Sequence, residues 1–187
     1  NEDIDDKVFA SFLKEDEIFT YVNKGSETYP KNELINVKGS TVLLEKDRSN
    51  PIYYGWDNEF SFHKADIKDF QASKYLVSNG EFLEFVKEGG YNHPDFFTDE
   101  GKEWLDFTQA KHPTFWVKKD NEFYLREINR EVPLPLNYPV DINIYEAEAF
   151  CHFKSLQLGF EVRFPSEDEY YALYEFTKAE QNEGNIG

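Results

Sequence analysis

One short stretch fixes more of the local backbone than any other in this sequence: residues 75–86, where an extended segment passes into a helix. Ser78 stands three residues before Glu81. At this spacing a serine hydroxyl caps the helix while a glutamate side chain reaches back to the capping residue. The apolar residues that follow run to Gly89-Gly90, which is typical of a helix end. We expect the buried side of this helix to carry Phe82, Leu83, Phe85 and Val86.

Two further stretches carry the same kind of helix start. Asn143 precedes Glu146 by three residues, and Ser166 precedes Glu169 by the same spacing. Each pair offers a side chain that caps free N–H groups of the first helical turn, and a carboxylate that reaches back. We therefore predict helices that begin after Asn143 and after Ser166, the first of them ending at Gly159. The core face of the first should carry Ala149, Phe150, Phe153 and Leu156.

Short apolar runs separated by turn residues predict strands elsewhere. Residues 34–37 and 41–44 flank Lys38-Gly39-Ser40 and are expected to pair around that turn. Residues 115–125 carry two apolar runs around a polar centre, which predicts a hairpin. Residues 162–164 predict one more short strand. Short strands, few helices and long irregular loops indicate an α+β fold rather than a repeated βαβ pattern.

The charge balance restricts the partners of this chain. It has 37 acidic and 20 basic residues, a net charge of −17. Such a surface repels phosphate backbones and anionic lipid, so we expect no nucleic-acid partner and no membrane partner. No run approaches the roughly 20 apolar residues of a membrane span. Cys151 is the only cysteine, which excludes an intrachain disulfide and favours a cytoplasmic location.

The residues give little support to metal, thiol or serine chemistry. The 4 histidines are scattered, with no pair at helical spacing and no H-x-x-x-H-x-E pattern, so we predict no metal site in this chain. Cys151 stands beside Phe150, and we expect a buried structural thiol rather than a reactive one. No G-x-S-x-G elbow is present. Catalytic residues therefore stay unassigned.

The polar turn at residues 55–59, Gly-Trp-Asp-Asn-Glu, is the densest group of candidate binding residues. One explanation is an Asx-type turn beside a packed tryptophan, which is common. The other is the wall of a polar pocket, because a turn this rich in carboxylate and amide groups is costly to bury without partners. The residues leave both explanations open. The candidate substrate-binding residues are Trp56, Asp57, Asn58 and Glu59.

Several runs, taken in order, resemble one family. Val77-Ser78-Asn79-x-x-Phe82 resembles the V-T-N-x-x-F signature of the formylglycine-generating-enzyme, or sulfatase-modifying-factor, fold. Seven runs together resemble the central domain of ovothiol-type 5-histidylcysteine sulfoxide synthases, to which the ergothioneine-type sulfoxide synthases are close relatives. The resemblance covers about residues 32–178. The runs are Gly55–Glu59, Leu76–Val86, Gly89–Tyr91, His112–Trp116, Tyr138–Val140, Glu146–Cys151 and Arg163–Glu169.

The resemblance implies a C-type-lectin-like α+β fold over residues 32–187, incomplete at the C-terminus. Residues 1–31 precede the matching runs and are expected to form a helix or linker from a preceding domain, although an ordinary N-terminal helix packed on this domain fits them equally well. It implies a parent enzyme that uses O2 to join cysteine sulfur to the histidine imidazole as a sulfoxide. In that enzyme a DinB-like domain holds Fe(II) through H-x-x-x-H-x-E, and a methyltransferase domain often follows. This chain would be an inactive fragment without a cofactor of its own, forming part of the substrate-cavity wall.

The sequence departs from the family pattern in three places. The iron-binding pattern is missing, and so is the late region that supplies the family's active-site tyrosine. Residues 163–166 read Arg-Phe-Pro-Ser where the family more usually has Arg-Leu-Pro-Thr. Two other functions stay open: a non-catalytic lectin-like binding module, and a formylglycine-generating enzyme, although the late cysteine pair of the copper-type enzymes is absent. An H-x-x-x-H-x-E pattern upstream in the parent gene would favour the synthase.

Overall fold

The structure is a computed structural model that describes residues 28–45, 49, 55–56, 60 and 62–177. The helix or linker expected over residues 1–31 therefore lies mostly outside the described residues. The chain divides into two compact units, which we call the helical unit and the ribbon unit. The helical unit comprises residues 1–31 and 75–163, and the ribbon unit comprises residues 32–74 and 164–187.

Small antiparallel sheets alternate with short helices along the chain, as an α+β fold requires. No helix within the described ranges is long and apolar enough to cross a membrane. Two short 3-10 turns, Gly90–Asn92 and Pro94–Phe96, follow the first helix. In chain order the elements are β1 (Leu34–Val37), β2 (Thr41–Glu45), β3 (Phe62–Asp66), β4 (Phe70–Ser73), α1 (Asn79–Lys87), α2 (Asp99–Thr108), β5 (Trp116–Lys119), β6 (Glu122–Arg126), β7 (Glu131–Pro133), α3 (Ile144–Leu158) and α4 (Glu167–Thr177).

Strands β1 to β4 form one long two-stranded antiparallel ribbon. β1 pairs with β4, with Val37 opposite Phe70, and β2 pairs with β3, with Thr41 opposite Asp66. Both pairs keep the same register, so the second pair continues the first. The expected hairpin between β1 and β2 is wrong, because these strands follow one another along the same side of the ribbon. Each pairs with a strand that is distant in sequence.

A short joint at Lys38-Gly39-Ser40 interrupts the ribbon without changing its register. Nζ of Lys38 donates to Oδ2 of Asp69 at 2.7 Å, and the backbone N–H of Gly39 donates to Oδ1 of the same carboxylate at 2.8 Å. The N–H of Ile67 donates to the carbonyl of Ser40 at 2.8 Å. A side chain at Gly39 would run into the backbone of Ile67 and Lys68, so glycine permits the close approach of the two chains.

Helix α4 packs against the β1 and β2 side of the ribbon. Val42 and Ala172 are both buried in this unit. The helix begins as predicted. The N–H of Glu169 donates to Oγ of Ser166 at 3.1 Å, and the N–H of Ser166 donates to Oε2 of Glu169 at 2.8 Å. This reciprocal pair satisfies two backbone donors at the helix start.

The two predicted helix starts of the helical unit are also confirmed. The N–H of Glu81 donates to Oγ of Ser78 at 3.2 Å, and the N–H of Ser78 donates back to Oε2 of Glu81 at 3.1 Å. The N–H of Glu146 donates to Oδ1 of Asn143 at 3.0 Å, and the N–H of Asn143 donates to Oε2 of Glu146 at 2.9 Å. α3 ends at Gly159, whose φ of 76° is left-handed, as expected.

Aromatic side chains dominate the core of the helical unit. Phe82 of α1 lies 5.4 Å from Phe150 of α3, measured between ring centroids. Phe85 lies 5.4 Å from Phe153 in the same way. Such ring pairs stabilise a core beyond the area that they bury. Leu156 was expected on this face but is 75% exposed, because the buried residues of α3 end at Phe153.

The predicted hairpin within residues 115–125 is confirmed by β5 and β6. β7 adds a third antiparallel strand to this sheet, in the order β5-β6-β7. The strand expected at residues 162–164 is absent from this described part of the chain. The N–H of Val162 instead donates to Oγ of Ser155 in α3 at 2.8 Å, which ties the segment to a helix rather than to a sheet.

Candidate functional site

The polar turn predicted from sequence lies between β2 and β3, at the end of the ribbon. β2 ends at Glu45 and β3 begins at Phe62, so residues 46–61 connect the two strands. Trp56 is 78% exposed. The other three candidate residues, at positions 57–59, lie outside the described residues, so their role in substrate binding stays a prediction.

Two of the four histidines, His93 and His152, share Phe96 as a neighbour, and the other two contact different groups. Nε2 of His63 lies 3.0 Å from Oδ1 of Asp168 in the ribbon unit. In the helical unit, Nδ1 of His152 lies 2.6 Å from the carbonyl oxygen of Phe96. The ring of His93 packs on Phe96, and Nδ1 of His112 lies 3.1 Å from the carbonyl oxygen of Pro113. Across the described residues, no group of three or more histidine, cysteine or acidic side chains is placed to hold a metal ion.

Cys151 is half-buried in α3. Burial raises the pKa of its thiol, and the nearby carboxylate of Glu148 raises that pKa further. A raised pKa keeps the thiol protonated, whereas a nucleophilic cysteine needs a lowered pKa. The geometry therefore favours the structural role that the sequence suggested for this residue.

Sequence reasoning identified Glu146 only as a helix-capping residue, but the structure shows that this acid is buried in the helical unit. Glu146 is 2% exposed, and its Oε1 accepts a hydrogen bond from the hydroxyl of Tyr91 at 2.5 Å. Burial raises the pKa of Glu146 and also raises the pKa of Tyr91. The spacing of Asn143 and Glu146 predicted the capping contact of Glu146. No residue close to Glu146 in the sequence predicts its hydrogen bond with Tyr91. Because both carboxylate oxygens are engaged inside the core, the pair holds structure together.

The helical unit also contains a groove of about 370 Å³ at the end of β6, which we call the Arg126 groove. Apolar side chains form much of its walls, and three charged residues line it: Arg126, Asp141 and Glu127, the last of which pairs with Arg130. Its residues come from separate segments of the chain, so no sequence motif could have found it. The residues that define it are Asn79, Phe115, Leu125, Arg126, Glu127, Ile128, Tyr138, Pro139 and Asp141.

A model of the sulfatase-modifying factor enzyme 1-like domain matches residues 20–176, which is well over half of the chain. The chain belongs to this family. The sulfatase-modifying factor domain thus spans both compact units, and its strand-to-helix signature at Ser78 lies inside the matched range. The mixed helices and small sheets described above are those of an α+β member of this superfamily.

Three curated relatives are similar to this domain. Ergothioneine biosynthesis protein 1 of Schizosaccharomyces pombe is 24% identical over 147 residues, which is 75% of this chain and 16% of that protein. Hercynine oxygenase of Mycolicibacterium smegmatis is 29% identical over 111 residues, 58% of this chain and 25% of that protein. Hercynine oxygenase of Mycobacterium tuberculosis is 26% identical over 109 residues, with the same two shares. The chain thus spans a quarter or less of the length of these relatives.

Proposed function

We propose that this chain is part of a sulfoxide synthase that uses Fe(II) and O2 to join the sulfur of cysteine to the imidazole of histidine, as in ovothiol biosynthesis. In this proposal the sulfatase-modifying factor domain, of the C-type-lectin-like variety, forms a wall of the substrate cavity. The observation that carries the proposal is membership of the family together with relatives named for hercynine oxygenation and ergothioneine biosynthesis.

The proposed reaction balances with O2 as the only oxidant. Replacing the thiol hydrogen and one imidazole C–H hydrogen by a carbon–sulfur bond removes two electrons. Converting the resulting thioether into a sulfoxide removes two more. One oxygen atom of O2 enters the sulfoxide, and the other leaves as water together with the two hydrogens. O2 thus accepts all four electrons.

The residues that the structure describes do not fit an iron centre. No suitable group of histidine, cysteine and acidic side chains exists in the part of the chain that the structure describes. Two-histidine iron sites need imidazoles and a carboxylate that converge on one face. His93 and His152 share Phe96 as a neighbour, but no third ligand joins them among the described residues. We therefore propose that Fe(II) is held by a DinB-like domain of the same protein and not by this chain.

The polar turn supplies groups that suit amino-acid substrates. Asp57 and Glu59 can accept hydrogen bonds from substrate ammonium groups, and Asn58 can both donate and accept. The ring of Trp56 can cover an imidazole or a cation. Its exposure of 78% leaves that ring accessible, which supports the proposal.

The test is made in the full-length protein with Asp57→Asn and Glu59→Gln. O2-dependent formation of the sulfoxide from cysteine is followed with histidine and, separately, with hercynine, and thermal stability is measured on the same samples. We expect raised KM values for the amino-acid substrates at unchanged stability. Lost stability with unaltered KM values would show that the turn has only a structural role and would contradict its role in the cavity wall.

The same assay decides between the synthase and a lectin-like binding module. Sulfoxide formation that requires Fe(II) would exclude the non-catalytic module. Turnover of histidine over hercynine would support the ovothiol-type reaction, and the opposite preference would support an ergothioneine-type reaction. Absence of sulfoxide with both substrates, in a folded and iron-loaded protein, would overturn the proposed function.

A further inference from the structure

We propose that the Arg126 groove binds a zwitterionic α-amino acid with an aromatic or aliphatic side chain, its carboxylate on Arg126 and its ammonium group on Asp141. The walls of the groove belong to the helical unit, and Trp56 is not among them. The inference goes beyond the proposed function and does not depend on it, because its probes and variants do not involve the residues of the turn.

Arg126 has no carboxylate partner among the described residues, although two acids stand close to it. Glu127 is its neighbour in sequence but pairs with Arg130, with 2.5 Å between Oε2 and Nε. Glu131 lies directly opposite Arg126 in the β6–β7 pair, but its carboxylate lies 2.6 Å from Nζ of Lys119. Both nearby acids are thus engaged by other cations, so no carboxylate of the described residues holds the guanidinium of Arg126.

A guanidinium without a carboxylate partner among the described residues favours a carboxylate ligand, even in a chain with 37 acidic and 20 basic residues. The planar guanidinium presents two parallel N–H groups that match the two oxygens of a carboxylate. Arg126 therefore provides the recognition element for an acid bound in the groove.

Asp141 determines what kind of carboxylate the groove can accept. It is exposed at the groove and makes no hydrogen bond or ion pair with another described side chain. The negative charge of Asp141 acts on nearby groups, since it contributes to the raised pKa of Glu146. A simple carboxylate would be repelled by this anion, whereas an ammonium group on the same ligand would be attracted. A zwitterion satisfies both Arg126 and Asp141, since Glu127, the third charged residue of the groove, is paired with Arg130.

The walls between these charges suit an apolar side chain. Ile128 is fully exposed and Phe115 is 46% exposed, so both present apolar surface to a ligand. The volume of about 370 Å³ falls within the roughly 300–1,000 Å³ of small-molecule pockets. Apolar surface beside a few convergent polar groups is the usual composition of such pockets.

The wall on the α1 side is held rigidly. Asn79 is 2% exposed, and its Nδ2 donates to the carbonyl of Pro135 at 3.0 Å. Its backbone N–H donates to the carbonyl of Tyr138 at 2.7 Å. The N–H of Val140 donates to the carbonyl of Val77 at 2.9 Å, which fixes the segment that leads to Asp141. A pre-organised wall lowers the ordering cost of binding.

The test measures binding of three probes to this chain by NMR titration: L-phenylalanine, 3-phenylpropionate without the ammonium group, and 2-phenylethylamine without the carboxylate. We expect phenylalanine to bind about tenfold more tightly than either of the other two probes, because the loss of one charged contact lowers the affinity about tenfold. Arg126→Gln should remove the advantage of phenylalanine over 2-phenylethylamine, and Asp141→Asn should remove its advantage over 3-phenylpropionate.

Lys118→Gln is the matched control. Lys118 lies on the neighbouring strand, with Nζ 5.8 Å from the ring centroid of Phe123 and outside the groove, so its loss removes one positive charge without touching the site. We expect it to bind phenylalanine like the wild type. Equal binding of the three probes, or unchanged phenylalanine binding in both groove variants with a folded circular-dichroism spectrum, would overturn the proposal. Neither outcome affects the proposed synthase, whose test concerns the turn.

Discussion

The hydroxyl of Tyr91 donates a hydrogen bond to Oε1 of Glu146 at 2.5 Å inside the core of the helical unit. Oε2 of the same carboxylate accepts the N–H of Asn143 at 2.9 Å. One side chain thus caps α3 and also joins the Gly90–Asn92 turn to that helix. Because Glu146 is almost fully buried, each of these bonds replaces water that the carboxylate has lost.

Removing the phenol hydroxyl should destabilise the fold. Tyr91→Phe leaves Oε1 of Glu146 buried without its donor, and we expect a loss of about 1–3 kcal/mol in the free energy of unfolding. Denaturant unfolding measures this loss. Tyr124→Phe is the matched control, because its hydroxyl donates to Glu122 at 3.3 Å on the surface, and it should change stability by less than about 0.5 kcal/mol. Equal losses in the two variants would contradict the role of the buried pair.

Glu146 should also give the fold a pH dependence of known sign. Burial raises the pKa of Glu146 above its ordinary 4.5 in the folded state, so the fold binds this proton more tightly than the unfolded chain does. Its contribution to stability is therefore fully present below pH 4.5 and is lost as the pH rises through the raised pKa. Glu146→Gln should remove that loss, whatever its effect on absolute stability. Unfolding curves that decline with pH equally in both proteins would contradict this assignment.

Tyr29 should ionise unusually late. The hydrogen bond from its hydroxyl to Glu84, followed by burial and nearby acidic charge, raises the pKa of Tyr29 to about 12. An absorbance titration of the wild type minus Tyr29→Phe isolates this group. In Gly80→Ala the new methyl group would occupy the place of the Tyr29 ring, so we expect the pKa to return towards 10.0. Glu84→Gln should act in the same direction, and an unshifted titration in both variants would refute the contact.

The cap of α4 should be measurable without touching any candidate site. Ser166→Ala removes the oxygen that accepts the N–H of Glu169, and we expect a loss of about 0.5–2 kcal/mol in stability. Ser73→Ala, on an exposed position of β4, is the control and should be close to neutral. Chemical denaturation compares the two midpoints, and a Ser166→Ala midpoint equal to that of wild type would argue against the cap.

This chain by itself should retain no iron after Fe(II) loading and desalting. The expectation rests on the scattered histidines and on the absence of a ligand group in the described ranges. Elemental analysis makes the measurement, and the full-length protein carrying the proposed DinB-like domain serves as the positive comparison. One tightly held equivalent of iron in this chain would contradict the proposal that a DinB-like domain holds the Fe(II).

Local features of this fold could be predicted from sequence, and pairings between distant segments could not. The helix starts at Ser78, Asn143 and Ser166 depend on groups within four residues of one another, so their spacing is enough. The partner of β1 is β4, and nothing in the alternation of β1 says so. Alternation of apolar and polar residues predicts that a segment is extended but does not predict which strand it pairs with. The hairpin expected around Gly39 was wrong for this reason.

The candidate sites divide in the same way. The polar turn at Trp56 is contiguous, so its composition alone drew attention to it. The Arg126 groove is assembled from α1, the end of β6 and the segment near Asp141, and it depends on which acids other cations engage. Sequence shows the number of acids near Arg126 but does not show that Lys119 and Arg130 engage two of them.

The unchanged register across the joint at Lys38–Ser40 limits how this domain can change length during evolution. One residue gained or lost on a single side would turn the inward face of one half of the ribbon outward relative to the other half. Insertions and deletions at residues 38–40 should therefore be tolerated only when a matching change occurs at residues 67–69. The connection over residues 46–61 carries no such restriction, so homologues can lengthen or shorten the segment that contains Trp56 while the ribbon beneath it keeps its pairing.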